Sequence, residues 1–212
     1  MPFLLRFLPT ANRPSTALLG ALLALLMMGL PLPGAPSLQA APYTLDPAQT
    51  TVQFHVEFLA FRSVTGTFHT VQGSAEISDG RLQAVEATIQ TTSVDTGKGN
   101  RDEHLRTDHF FDTAAHPTIA FQSTQVNPLG NDRYRVTGDL TIRGITKQVD
   151  LEGHLKPSTA GAGPQRYLFE AEGLINRHDW QVSWNQHASG RDLAIGDEVR
   201  LELKGEVVAT GG

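Results

Sequence analysis

Cysteine is absent from the 212 residues. That excludes disulfide staples, a lipid-modified N-terminal cysteine, a thiol nucleophile and any thiolate metal site. The fold therefore stands on its own apolar core. Long hydrophobic runs are scarce as well. Arg6 and Arg13 precede the single unbroken one, Ala17 to Leu30, which is followed by prolines and by Ser37-Leu38-Gln39-Ala40. Fourteen residues fall short of the ~20 a spanning helix needs, and no second run follows to stop transfer. This is the pattern of a cleaved secretory signal peptide over residues 1–40, with no twin arginine. Positive charge is also in deficit: residues 41–212 hold 15 basic side chains against 22 acidic ones, a net charge of −7. Nothing in that balance attracts nucleic acid or an anionic membrane surface. Residues 41–212 match the size of one domain, and no linker divides them.

What the chain does contain is strict alternation. In TTVQFHVEF, Val52, Phe54, Val56 and Phe58 fall on one face of an extended strand, and Gln53, His55 and Glu57 on the other. In VRLELKGEV, Val199, Leu201, Leu203 and Val207 oppose Arg200, Glu202, Lys204 and Glu206. The stretch from Arg135 to Leu155 reads as a hairpin turning near Gly144. Further strands are expected at Val85–Gln90, Thr118–Val126, Tyr167–Ile175 and Trp180–Trp184. About eight or more short strands with no helix-period crossovers make an antiparallel all-β protein. Alternation leaves open whether its edges close as a two-sheet sandwich or as a barrel.

One long interruption lies between Thr91 and Pro117. Asn100 followed by Glu103, with Asp102 in the first turn, reads as a helix start, giving a short helix over Arg101–Arg106 that faces Leu105 inward. A loop of this length in a compact domain is more often functional than not. Its segment RDEHLRTDHFFDTAAHP is rich in acids and histidines, but no HExxH or other tight histidine spacing occurs. On a continuous helix His104 and His109 would be about 140° apart, so one face could not present both to a metal. There is no G-x-S-x-G elbow for a hydrolytic serine. Of the eight phenylalanines beyond the leader, Phe54, Phe58, Phe61 and Phe68 belong to the first strands, Phe110, Phe111 and Phe121 to the loop and the strand after it, and Phe169 stands apart. Those rings are either plain core or the lining of a cavity.

Four stretches in order resemble the YceI-like family, from about Tyr43 to Val208. The first is TTVQFHVEFLAFRSVTGTF, with Val64, Gly66 and Phe68. The second and most specific is SVDTGKGNRDEHLRTDHFFDTAAHPTIAF. The third is GDLTIRGITKQVDLE, and the fourth INRHDW followed by GDEVRLEL. The chain departs from the family pattern at Phe58, where a histidine is frequent, and at Gln181, where a glycine commonly follows the aromatic.

The resemblance implies an antiparallel lipocalin-like β-barrel of about eight strands with a short helix in the long loop. It implies a secreted, periplasmic protein that binds a polyisoprenoid or isoprenoid-quinone chain inside the barrel as a carrier or reservoir, with no cofactor, no metal and no catalysis. A homodimer is expected by the same analogy. The ligand wall would comprise Phe54, Val56, Phe58, Phe61 and Phe68 from the first strands, Phe110, Phe111 and Phe121, and Leu140 and Trp180. Because a bilayer is as apolar as such a tube, loading is expected during transient membrane-surface contact. Two other readings stay open on the residues alone. One is an enzyme acting on a small apolar substrate with Asp102, His104 or His109 as acid or base; the other is a stress-response interaction module with a filled core. N-terminal sequencing of the exported protein is expected to begin at Ala41, and a start at Met1 would show that the leader is retained.

Overall fold

A computed structural model describes residues 41–58, 62–159, 165–184, 186–188, 191–193 and 195–210. The expected signal peptide and Phe61 lie outside the described residues. Thirteen strands follow in chain order. They are β1 (Ala41–Leu45), β2 (Thr51–Phe58), β3 (Arg62–Phe68), β4 (Val71–Ser78), β5 (Arg81–Gln90), β6 (Val94–Asp95) and β7 (Thr118–Gly130), then β8 (Arg133–Ile142), β9 (Ile145–Pro157), β10 (Arg166–Asn176), β11 (Gln186–Ala188), β12 (Arg191–Leu193) and β13 (Ile195–Ala209). The α-helix α1 spans Gly99–Arg106.

The sheet closes on itself. Each neighbour in the order β1, β4, β5, β7, β8, β9, β10, β13 is antiparallel, and β13 returns to β1 through Tyr43–Ala209, Thr44–Val208 and Leu45–Val207. An eight-stranded antiparallel barrel results, with one short α-helix among the described residues; its closure satisfies the edges of β1 and β13, while β3 and β6 stand at the free end of the sheet. Strand β13 serves both ends of the wall: Ile195–Lys204 pairs with β2, and its last residues pair with β1. From β2 the wall continues to β3 and the two-residue β6. The alternation in β2 and β13 is preserved, with Val52 and Phe54 buried while His55 meets Thr65 and Glu202 on the outer face.

Local chemistry sets the turns. Asp79-Gly80 has both φ angles positive (51° and 71°), the mirror-image two-residue turn whose twist suits a hairpin. Arg143-Gly144 repeats it between β8 and β9 (51° and 71°), although arginine gains nothing from the left-handed region.

One end of the barrel is sealed by tyrosine. The rings of Tyr43 and Tyr167 meet edge to face at 5.4 Å. Tyr43 donates to Gln165 Oε1 (2.9 Å), and Gln165 Nε2 donates to the Tyr167 hydroxyl (2.8 Å). Burial pushes the Tyr43 phenol up from its ordinary pKa, so the seal is a neutral network.

Two local expectations are corrected. The helix starts at Gly99 with Lys98 in the capping position, so Asn100 does not cap it. Asp102, which is buried, instead accepts from the backbone N–H (2.8 Å) and hydroxyl (2.5 Å) of Thr96, while Arg101 donates to the Thr96 hydroxyl (2.7 Å) and carbonyl (2.8 Å). That tether winds the first turn earlier than the capping pattern implies. The strand expected at Trp180–Trp184 is also not formed: Arg177–Trp180 is a 3-10 turn capped by the Asn176 side chain, and residues 181–184 are not strand. The carbonyls of Val182 and Trp184 accept from the buried Arg177 guanidinium rather than from a neighbouring strand.

Gln181 follows that turn with φ 58°, which explains why a glycine suits this site in the family pattern. A non-glycine residue in the left-handed region costs about 1 kcal/mol or more. Gln181→Gly is therefore expected to raise the melting temperature by about 2–4 °C, read by thermal unfolding.

Candidate ligand-binding cavity

The inward side chains do not fill the barrel. A cavity of about 260 Å³ lies within it. Its wall includes Tyr134, Leu155, Phe169 and Val207 towards the tyrosine seal, and Ile142, Trp180, Val182 and Ile195 towards the other end. Tyr134 and Ile142 are eight residues apart on β8, about 26 Å along the strand at ~3.3 Å per residue, or about 20 Å of barrel axis at a typical tilt.

Why the middle stays empty follows from a repeated pairing of phenylalanine with glycine. Phe54 stands directly across from Gly66 in the β2–β3 register, and Phe169 from Gly205 in β10–β13. Phe121 overlies Gly138 between β7 and β8. A Cβ added at Gly138 would lie 2.5 Å from the Phe121 ring, one at Gly205 2.7 Å from Phe169, and one at Gly66 would collide with Phe54. Each ring thus settles into the space a side chain would take on the adjoining strand, down against the wall. The register turns three large residues into lining rather than filling.

Of the ten residues expected to form the ligand wall, eight line this cavity: Phe54, Val56, Phe68, Phe110, Phe111, Phe121, Leu140 and Trp180. Phe58 does not line it. It is half-buried at the end of β2, opposite Arg62 and Ile195, beyond the stretch of strand that borders the hollow. Phe61 lies outside the described residues. Phe169, which stands apart in the sequence, is part of the wall, together with Leu201 and Leu203. The same period of two that marks β2 marks these residues, so their alternation carried the signal.

The end opposite the tyrosine seal is closed by the loop after α1. Phe111 meets Phe54 and Phe68 at 6.3 and 5.5 Å, and so joins the wall. Phe110 also lines the cavity and packs against His104 (5.1 Å) and Trp184 (5.3 Å). Arg143 accounts for its own strained turn here: its Nη1 donates to the carbonyls of Asp108 (2.7 Å) and Phe110 (2.6 Å), pinning the loop to the β8–β9 tip. Trp180, 1% exposed, donates from its indole N–H to the Leu140 carbonyl (3.1 Å). Arg177 beside it donates to the carbonyls of Gly196, Val182, Trp184 and Ile195. Burial lowers the Arg177 pKa and nearby Asp197 opposes that shift, but a guanidinium remains charged at any ordinary pH.

His104 and His109, which helical spacing sets apart, are brought together. The helix ends at Arg106, and the turn at residues 107–111, held by bonds such as Phe111 N–H to the Leu105 carbonyl (3.0 Å), folds His109 back until its Nδ1 is 3.1 Å from His104 Nε2. No group of three potential ligands forms a metal site among the described residues. Asp102 is engaged by Thr96 and does not line the cavity.

Comparison with known proteins follows the same outline. The YceI-like domain matches residues 43–207. A UPF0312 protein of Shewanella denitrificans is 40% identical over 149 residues, 67% of this chain and 73% of its own. Protein YceI of Escherichia coli is 38% identical over 184 residues, 84% of this chain and 93% of its own. Among solved structures, BcnA of Burkholderia cenocepacia superposes with a TM-score of 0.65 at 23% identity, covering 78% of this chain and 99% of that one. A polyisoprenoid binding domain from Saccharophagus degradans, implicated in plant cell wall breakdown, gives 0.63 at 16% identity, covering 81% and 99%.

Filling the space beneath a ring should close the hollow. Gly205→Val is expected to displace Phe169 into the lumen, at a cost of about 1–3 kcal/mol typical of overpacking. Chemical denaturation measures that cost, and a crystal structure of the variant shows whether the ring has moved inward.

Proposed function

The chain belongs to the YceI-like family, and from that membership and the apolar hollow we propose that it binds the chain of a polyisoprenoid lipid or isoprenoid quinone, as a periplasmic carrier or reservoir with no chemistry of its own. The carrying observation is a tube about 20 Å long whose wall is made by residues such as Phe54, Phe121, Phe169 and Leu203. An isoprenoid tail has almost no hydrogen-bonding groups, so a site for it needs length and dryness rather than polar contacts. The description of a similarly folded domain as polyisoprenoid binding supports the same ligand class. An open lumen also speaks against an interaction module whose core is filled by its own side chains.

Burying apolar surface is worth about 25 cal/mol per Å² relative to water, which makes release into water slow for a long tail. Relative to a bilayer the exchange is nearly neutral. Loading and unloading therefore take place during transient contact with a membrane surface, and tube length and shape provide the selectivity. The leader-like N-terminal sequence supports a place outside the cytoplasm, and a homodimer is the expected assembly.

Organic extraction of the protein purified from its native host, followed by mass spectrometry, is expected to recover an isoprenoid lipid. Phe54→Asp and Phe111→Asp place a charge in the wall and should lower that content severalfold in folded protein. Absence of lipid, with no uptake of added isoprenoid chains, would overturn the carrier reading.

A further inference from the structure

The closing loop at Phe110 carries a second chemistry that the hydrocarbon tube does not need. Burial falls steadily outwards: Phe110 is buried, His104 and Trp184 are half-buried, and His109 is exposed. These four side chains form one aromatic stack. His104 stands edge-on to Trp184 at 4.4 Å, His109 is near-parallel to it (17°) at 6.2 Å, and both Phe110 and His104 pack beneath. Of the four, Phe110 lines the cavity and His109 is exposed to solvent.

Two neutral imidazoles sharing one N–H···N bond leave one free N–H donor and one free lone pair, whichever ring donates. In His104 and His109 these fall on Nδ1 and Nε2, and neither atom has a hydrogen-bond partner among the described residues. Three arginines near the closing loop point at backbone carbonyls rather than at the histidine pair. Arg106 donates to the carbonyls of Thr92 and Val94, Arg143 to those of Asp108 and Phe110, and Arg177 to those of residues 182, 184, 195 and 196. Exposed carboxylates, Glu103 and Asp108, lie in the same segment. Glu103 and Asp108, each next in sequence to one of the two histidines, disfavour a phosphate there, whereas a flat uncharged ring bearing carbonyl or hydroxyl oxygen would extend the cluster and find both a donor and an acceptor.

We infer that His104, His109 and Trp184 form a head-group site that selects tails ending in an uncharged quinone- or phenol-type ring over tails ending in phosphate. This rests on the carrier reading above and makes the loop end, rather than the tube, the source of head-group specificity.

The test offers the lipid-stripped full chain an equimolar mixture in phosphatidylcholine vesicles. The mixture holds a prenylated benzoquinone, a prenyl monophosphate and a head-less prenyl hydrocarbon of equal tail length, and the captured ligands are quantified by mass spectrometry. The quinone is expected to exceed the phosphate by about tenfold or more, the factor that one or two net hydrogen bonds supply. His109→Ala, at an exposed position, and His104→Gln should each reduce the preference for quinone over the head-less chain severalfold while head-less capture stays constant, which also reports that the barrel is intact. His109→Lys should raise phosphate capture. Equal or preferred capture of the phosphate by the unaltered chain, or an unchanged preference in both histidine variants, would overturn the head-group site and leave the carrier reading standing. Capture of none of the three would overturn the carrier reading, and this inference with it.

Discussion

A barrel of eight strands is at the size where side chains can just fill the interior, so whether this one holds anything depends on where its largest residues rest. Phe54, Phe121 and Phe169 each lie over a glycine on the next strand, Gly66, Gly138 and Gly205. The contact is cross-strand and set by register, so it holds only while the hydrogen-bond ladders of β2–β3, β7–β8 and β10–β13 keep their alignment. Sheet pairing thereby determines cavity shape. In a native interior, close packing is the rule; here it is achieved within the wall and withheld from the axis.

The two ends are built from different materials. At the tyrosine seal, Tyr43, Gln165 and Tyr167 come from strands or strand ends that are themselves paired in the barrel. At the other end the closing loop is held by its own backbone bonds between residues 104 and 116 and by side-chain contacts from outside it, among them Arg143, Trp184, Thr91 and the rings of Phe54 and Phe68. Elements bound by few long-range ladders open at lower free energy than the sheets they cover. The loop end is thus the natural passage for a ligand, and the tyrosine end a floor.

Much of this was legible in the residues. Period-two alternation in TTVQFHVEF and VRLELKGEV is the direct imprint of a wall with one apolar face, and it located Val52, Phe54, Val199 and Leu201 correctly. Closure of the wall was not legible, because it depends on three residue pairs between β1 and β13, strands more than 160 residues apart in the sequence. Nor was the meeting of His104 with His109: helical spacing separates them, and only the end of α1 at Arg106 followed by a tight turn reverses that. The segment Trp180–Trp184 alternates like a strand, but Arg177 claims its carbonyls. Phe169 was isolated in the sequence because its companions in the cavity come from strands distant along the chain. Closure and the place of Phe169 depend on strands distant in the sequence, whereas in the other two cases a turn or a side chain overrode the local pattern.

Arg143 takes up an unfavourable backbone conformation at a hairpin tip and spends its guanidinium on the carbonyl oxygens of Asp108 and Phe110. Every residue type supplies a carbonyl, so the bolt does not read the side chains it fastens. Substitution in the closing segment can therefore retune what passes through the exit while the fastening persists, and adaptation to a new cargo need not first rebuild the door.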